Sequence, residues 1–74
     1  MYTLYDFLNK FQWEDFEIVS RDGKHSLTSR KINHNDIEDA IKYCDTPEEK
    51  RLCSLCETAV TKVDFEQMII YVED

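Results

Sequence analysis

Leu4, Phe7, Leu8 and Phe11 recur at i, i+3, i+4 and i+7 within TLYDFLNKFQ, residues 3–12. That spacing gathers four apolar side chains on one stripe of a helix. Thr3 stands where it can cap the first turn, and Asp6 where it can reach back to complete a capping box. In DFEIVSRDGKHSLTSRK, residues 15–31, the pattern changes. Asp22-Gly23 predicts a two-residue type I′ turn, which needs positive φ at both central positions. Such a hairpin sets Arg21 opposite Lys24 and Ile18 opposite Leu27. Phe16, Ile18 and Leu27 then share the core face, while Glu17, Val19 and Thr28 point away from it.

Helical spacing returns in NHNDIEDAIKYCD, residues 33–45. Asn35 is the expected cap, with Glu38 three residues on, and Ile37, Ala40, Ile41 and Cys44 form the buried stripe. TPEEKRLCSLCETA follows at once. Thr46 caps, Pro47 takes the first helical position where its missing N–H is harmless, and Glu49 closes the box. Leu52, Leu55, Cys56 and Ala59 make its stripe, and a tight turn at Asp45-Thr46 joins the two helices. In VTKVDFEQMIIYVED, Phe65 and the run Met68 to Val72 have strand character, being rich in β-branched and aromatic residues. An unbroken apolar run suits a central strand or one covered on both faces. The predicted order is αββααβ. It describes an α+β fold with a three-stranded antiparallel sheet and short helices packed on one face.

Seventy-four residues hold one domain, 1–74, and a chain this short buries only about 60 to 65% of its unfolded surface. An apolar fraction of 42% with one Gly and one Pro favours short connections over disorder, although 34% of residues are charged. The net charge of −7, from sixteen acids and nine bases, repels phosphate backbones and disfavours direct nucleic-acid binding. An acidic surface can instead dock on a basic groove, including one that ordinarily holds nucleic acid. Solubility alone is the simpler account of the charge. MYTLYDFLNKF lacks a basic leading segment, and MIIYV is far shorter than the roughly 20 apolar residues of a membrane span. Three cysteines, an odd number, fit a reduced cytoplasmic setting, which is the host cytoplasm if the protein is phage-encoded.

Cys44, Cys53 and Cys56, with His34 or His25, supply enough ligand types for zinc. Their spacing argues against it, because Cys53 and Cys56 lie inside a capped helix rather than on a knuckle. Cys56 and Cys44 occupy core positions, where a free thiol behaves as a small apolar group. Cys53, at the stripe's edge and seven residues past the cap, is too deep in the helix for the dipole to activate it. Neither a nucleophile signature, a calcium loop nor a glycine-rich phosphate loop is present. Catalytic residues, cofactor and metal are therefore not expected.

The carboxylates offer more. From His34 to Glu57 there are seven acids against three bases. Acids in first turns complement the helix dipole, which accounts for many of them. If the two helices pack side by side, Asp36, Glu38, Asp39, Asp45, Glu48 and Glu49 form an anionic ridge. Arg21, Lys24, His25, Arg30 and Lys31 make the hairpin the basic region, without the aromatic platform that single-stranded nucleic acid needs. Tyr2, Tyr5, Trp13, Tyr43 and Tyr71 fall at element ends or off the stripes, where aromatics either cap the core edge or anchor an interface.

LYDFLNKF, the charged hairpin and MIIYVED together resemble the small acidic orphan proteins of phages and mobile elements of Gram-positive bacteria. The likeness is one of size, order and acidity, and no motif transfers residue roles. Some such proteins are inhibitors of bacterial immunity, anti-CRISPR proteins among them. The resemblance implies a non-enzymatic inhibitor that blocks a basic nucleic-acid-binding surface of a bacterial protein, such as a CRISPR effector nuclease. The acidic ridge is the expected contact, with Tyr43, Trp13, Arg21, Lys24 and Arg30 as a secondary surface. Contacts with membrane or direct contacts with nucleic acid are not expected. The alternative is a structural or regulatory small protein acting as a homodimer or subunit through exposed aromatics and an edge strand.

Overall fold

β3, Ile69–Val72, is the middle strand of a three-stranded sheet. It pairs in parallel with β1, Glu17–Ser20, and antiparallel with β2, Val60–Asp64. The computed structural model describes residues 2–73. Three helices complete it: α1, Leu4–Lys10, α2, His34–Tyr43, and α3, Pro47–Leu55. The fold is α+β, in the order αβααββ, so the sheet is mixed rather than antiparallel and the expected αββααβ order is corrected. Pairing sets Ile18 beside Ile70 and Ser20 beside Val72, with Val63 across from Ile70. Ile18, Ile70 and Val72 enter one buried cluster with Leu4, Phe7, Leu8, Ile37, Ala40, Leu52 and Leu55, so every helix packs into the core that this sheet face closes.

The second strand of the expected hairpin does not form. The segment after Gly23 keeps the expected register, since Ile18 O accepts from Leu27 N at 2.8 Å and Val19 bridges Ser26. It does not continue as a ladder. Ser29 takes φ +55°, and contact resumes only at Phe16 and Ile32, three residues out of step. Thr28 spans the gap: its hydroxyl accepts from Ile18 N at 3.3 Å and donates to Arg30 O at 2.7 Å. Val19 and Thr28, expected to point away from the core face, are buried, and Val19 lies outside the core cluster. The turn also differs from type I′. Gly23 alone has positive φ, +77°, and its N–H donates to Ser20 O at 2.9 Å. Asp22 braces that loop by accepting from the Ser20 hydroxyl at 2.6 Å and from Lys24 N at 2.9 Å.

The unforeseen strand is β2. It joins β3 through a turn over residues 65–68 in which Asp64 Oδ1 accepts from Glu66 N at 2.9 Å and Gln67 N at 3.1 Å. Met68 takes the left-handed conformation there, φ +58°, a place where glycine is usual. Phe65 belongs to this turn and not to a strand or the inner core, and it is 55% exposed. Between Val60 and Lys62 the register slips by one residue, and the Thr61 hydroxyl donates to Tyr71 O at 3.1 Å.

Capping sets the helix ends. Thr3 accepts from Asp6 N as expected, but Asp6 does not return the bond. The first-turn N–H groups of Leu4 and Tyr5 donate instead to Thr58 O and Cys56 O beyond α3, at 2.8 and 3.0 Å. Each helix end thus satisfies the other's orphan groups. α2 starts two residues earlier than expected: Asn33, not Asn35, is the cap, in a reciprocal box with Asp36. Thr46, Pro47 and Glu49 form the predicted box of α3. Ile41 and Cys44, assigned to the buried stripe, are exposed, Ile41 by 47%. Ile37 and Ala40 carry the buried face of α2.

Asn33→Ala is expected to lower stability by about 1 kcal/mol, and Asn35→Ala by under about 0.5 kcal/mol, in urea unfolding. Gly23→Ala should cost about 1–2 kcal/mol by the same measurement, because an L side chain is disfavoured at that φ.

Candidate functional site

α2 and α3 pack against each other and carry five of the six carboxylates of the expected ridge, with Asp45 in the connection between them. Capping chemistry decides what most of them do. Asp36 accepts from Asn33 N at 3.0 Å. Glu49 accepts from Asp45 N and Thr46 N, both at 3.1 Å, and those two N–H bonds hold its carboxyl below the usual 4.5. Neutral donors of this kind orient a carboxylate without cancelling its charge.

Arg30 is the one cation that the fold brings onto this cluster among the described residues. It lies 2.5 Å from Glu48 and 3.5 Å from Asp36, joining the starts of both helices to the segment after the hairpin. The Glu48 hydrogen bond raises the Arg30 guanidinium above its usual value. Glu38 turns elsewhere. It accepts from the Tyr5 hydroxyl of α1 at 2.7 Å and lies 3.4 Å from His34 Nε2, and its hydrogen bond raises the Tyr5 phenol. The Asp39 and Asp45 side chains make no hydrogen bond or ion pair among the described residues. The structure therefore groups Asp36 with Glu48 and Glu49 with the Asp45 backbone, leaves Asp39 open, and sets Glu38 apart.

The secondary surface is divided. Arg30 belongs to the carboxylates, and Arg21 pairs with Glu73 at 3.4 Å. The Lys24 side chain makes no such contact among the described residues, while its backbone N–H serves the turn. Trp13 is 94% exposed, beyond the end of α1, and Tyr43 is exposed at the last residue of α2. Lysines take up several tyrosines: Lys10 lies over Tyr2, Lys42 over Tyr43 and Lys62 over Tyr71, with ammonium-to-centroid distances of 4.6, 5.3 and 5.0 Å. Phe65 leans on the rings of Phe7, Phe11 and Phe16 while exposing one side.

Two arrangements invite a chemical reading. An open cleft between hairpin and α3 is lined by Ser20, Asp22, His25, Arg21 and Arg51. Ser20, Asp22 and His25 do not form a charge relay. The hydroxyl donates directly to Asp22, and it is the backbone N–H of His25 that reaches Ser20 Oγ, at 3.2 Å. Arg51 is directed at Leu27 O, 2.6 Å away, and ties α3 to the hairpin's return. The second arrangement is sulfur. Cys56 is buried and donates to Cys53 O at 2.9 Å, whereas Cys53 Sγ lies 3.3 Å from the exposed Cys44 Sγ. Among the described residues no three His, Cys, Asp or Glu side chains converge as metal ligands. No described helix is long and apolar enough to cross a membrane.

Comparison with protein-family models, curated proteins and solved structures gives no match for this chain.

Arg30 was expected on the secondary surface, but its pairing with Asp36 and Glu48 was missed from sequence, as was the pairing of Cys44 with Cys53. Arg30 lies eighteen residues from Glu48 and only the fold joins them. A signal for Cys44 existed. Thr46-Pro47 keeps residue 46 out of the helical region, so the preceding helix had to end near Cys44 and free it from the stripe.

The depressed Glu49 pKa implies stability that is present above its ordinary 4.5 and lost as pH falls through the lower folded value. Urea midpoints taken from about pH 7 to about pH 3 should fall below the usual carboxylate range, and Glu49→Gln should flatten part of that fall.

Proposed function

We propose that this chain is a non-enzymatic acidic protein-binding module, a phage-type inhibitor of the anti-CRISPR kind that covers a basic nucleic-acid-binding surface of a bacterial effector. The observation that carries this reading is the fixing of anions on α2 and α3. Asp36 and Glu49 are held by backbone donors, Glu48 by Arg30, and Asp39 and Asp45 remain open to a partner. A net charge of −7 points the same way, since it favours a cationic partner and repels nucleic acid itself. Asp36 and Glu49, already held in place, lose little freedom when a lysine or arginine meets them. Inhibition then comes from occupancy of the channel and from competition with phosphate for the same side chains. A CRISPR effector nuclease is the partner class of this chemistry that the sequence resemblance implies.

A second reading, a homodimer or subunit, draws on different residues. Trp13 is almost wholly exposed, Phe65 is half-exposed over an aromatic cluster, and β2 is an edge of the sheet. Light scattering after gel filtration distinguishes the two: a dimer that survives high salt and dissociates in Trp13→Ala favours the second.

Binding to a panel of guide-loaded and guide-free CRISPR nucleases tests the first reading. Association should slow by on the order of tenfold or more as salt rises from about 0.1 M to about 1 M, where the Debye length contracts from about 10 Å to about 3 Å. Asp39→Lys with Asp45→Lys should weaken binding at least tenfold while leaving urea unfolding within about 0.5 kcal/mol of the original, because neither side chain supports the fold. Salt-independent association, or full binding by that double variant, would refute the electrostatic mechanism.

A further inference from the structure

We propose that Cys44 and Cys53 form a reversible two-electron redox site whose oxidant is a low-molecular-weight disulfide. This rests on the geometry of α2 and α3 and is independent of the partner reading. The two sulfurs are 3.3 Å apart, and a disulfide bond is about 2.05 Å, so bond formation needs an approach of roughly 1.3 Å from two side chains already facing each other. Cys44 closes α2 in the left-handed conformation, φ +49°, where glycine is the usual residue. That conformation ends the helix and sets the Cys44 side chain against α3.

The three thiols have separate environments. Cys44 is exposed and meets solvent-borne reagents first. Cys53 is half-buried, with Cys44 Sγ and Ala40 O, at 3.0 Å, both within reach of its S–H. Donation to Cys44 and desolvation push the Cys53 thiol up to about 11. Cys56 is buried, donates to Cys53 O, and is raised by burial. It takes no part.

With glutathione disulfide as oxidant, the Cys44 thiolate attacks one glutathione sulfur. The glutathione S–S bond breaks, one glutathione leaves as a thiolate that takes up a proton, and a mixed disulfide remains on Cys44. Cys53 then loses its proton and attacks Cys44 Sγ, breaking the mixed bond and releasing the second glutathione, which is protonated in turn. Two protein thiols are oxidised to one disulfide, and one glutathione disulfide is reduced to two thiols. The product ties the end of α2 covalently to the last turn of α3.

The test is mass spectrometry on the full chain after incubation with glutathione disulfide and alkylation. The expected species carries one alkyl group rather than three and has lost two hydrogens. Peptide mapping should place the link between Cys44 and Cys53 and the alkyl group on Cys56, and dithiothreitol should restore three alkylatable thiols. Cys56→Ala should oxidise like the original chain, and Cys53→Ser should stop at a glutathione adduct on Cys44. A link that includes Cys56, a persistent glutathione adduct on the unmutated chain, or three alkylated thiols after oxidant overturns the proposal. Any of these leaves the carboxylate reading untouched, since none of those anions takes part in the exchange.

Discussion

Pairing of β3 with both other strands is the constraint on which the rest of the molecule depends. Its partners lie far apart in sequence, with Ile69 beside Glu17 on one edge and beside Asp64 on the other. Parallel pairing with β1 requires a crossover, and α2, α3 and β2 provide it. Ile70 and Val72 are wholly buried from this middle position, with Ile18 beside Ile70. The chain entering and leaving the sheet must therefore lay its apolar stripes over that one buried row. The segment after Gly23 cannot become a fourth full strand on these terms. It is drawn away at Ser29 to reach Ile32 and the start of α2, and the Thr28 hydroxyl stands in for the missing ladder bonds.

Helix ends carry the polar side of the same fold. α1 meets the chain leaving α3 so that unpaired N–H groups find unpaired carbonyls, and α2 and α3 each close a reciprocal box. These bonds place carboxylates at fixed points near positive helix ends, where the macrodipole favours them. The consequence for recognition is a set of anions whose positions are determined by helix capping and not by their attraction to cations. Arg30 is the exception. As an exposed ion pair it contributes little to stability, and its effect is to hold the hairpin segment against both helix starts.

Local chemistry explains what could be read along the chain. The α1 stripe, the Thr46-Pro47-Glu49 box, the burial of Leu52, Leu55 and Cys56, and the pairing of Ile18 with Leu27 all follow from residues within about one or two turns of each other. The Asn33 cap was misplaced because Asn33 and Asn35 are both good caps and both have an acid three residues later. The β2–β3 turn left no glycine to mark it, as Met68 adopts the left-handed conformation itself. On the candidate site, the sequence showed the excess of acids but not their division, because partners such as Tyr5 for Glu38 and Arg30 for Glu48 come from distant elements.

The sequence by itself determined an α+β fold, three helices, their apolar stripes and an acidic surface, because each depends on periodicity, capping or charge count. Tertiary structure alone decided the mixed order of the sheet, the exposure of Cys44 beside Cys53, and which carboxylates stay open. The physical reason is common to all three. Strand pairing and side-chain partnership join groups that the chain keeps far apart, and only the closing of the core around Ile70 and Val72 sets their distances.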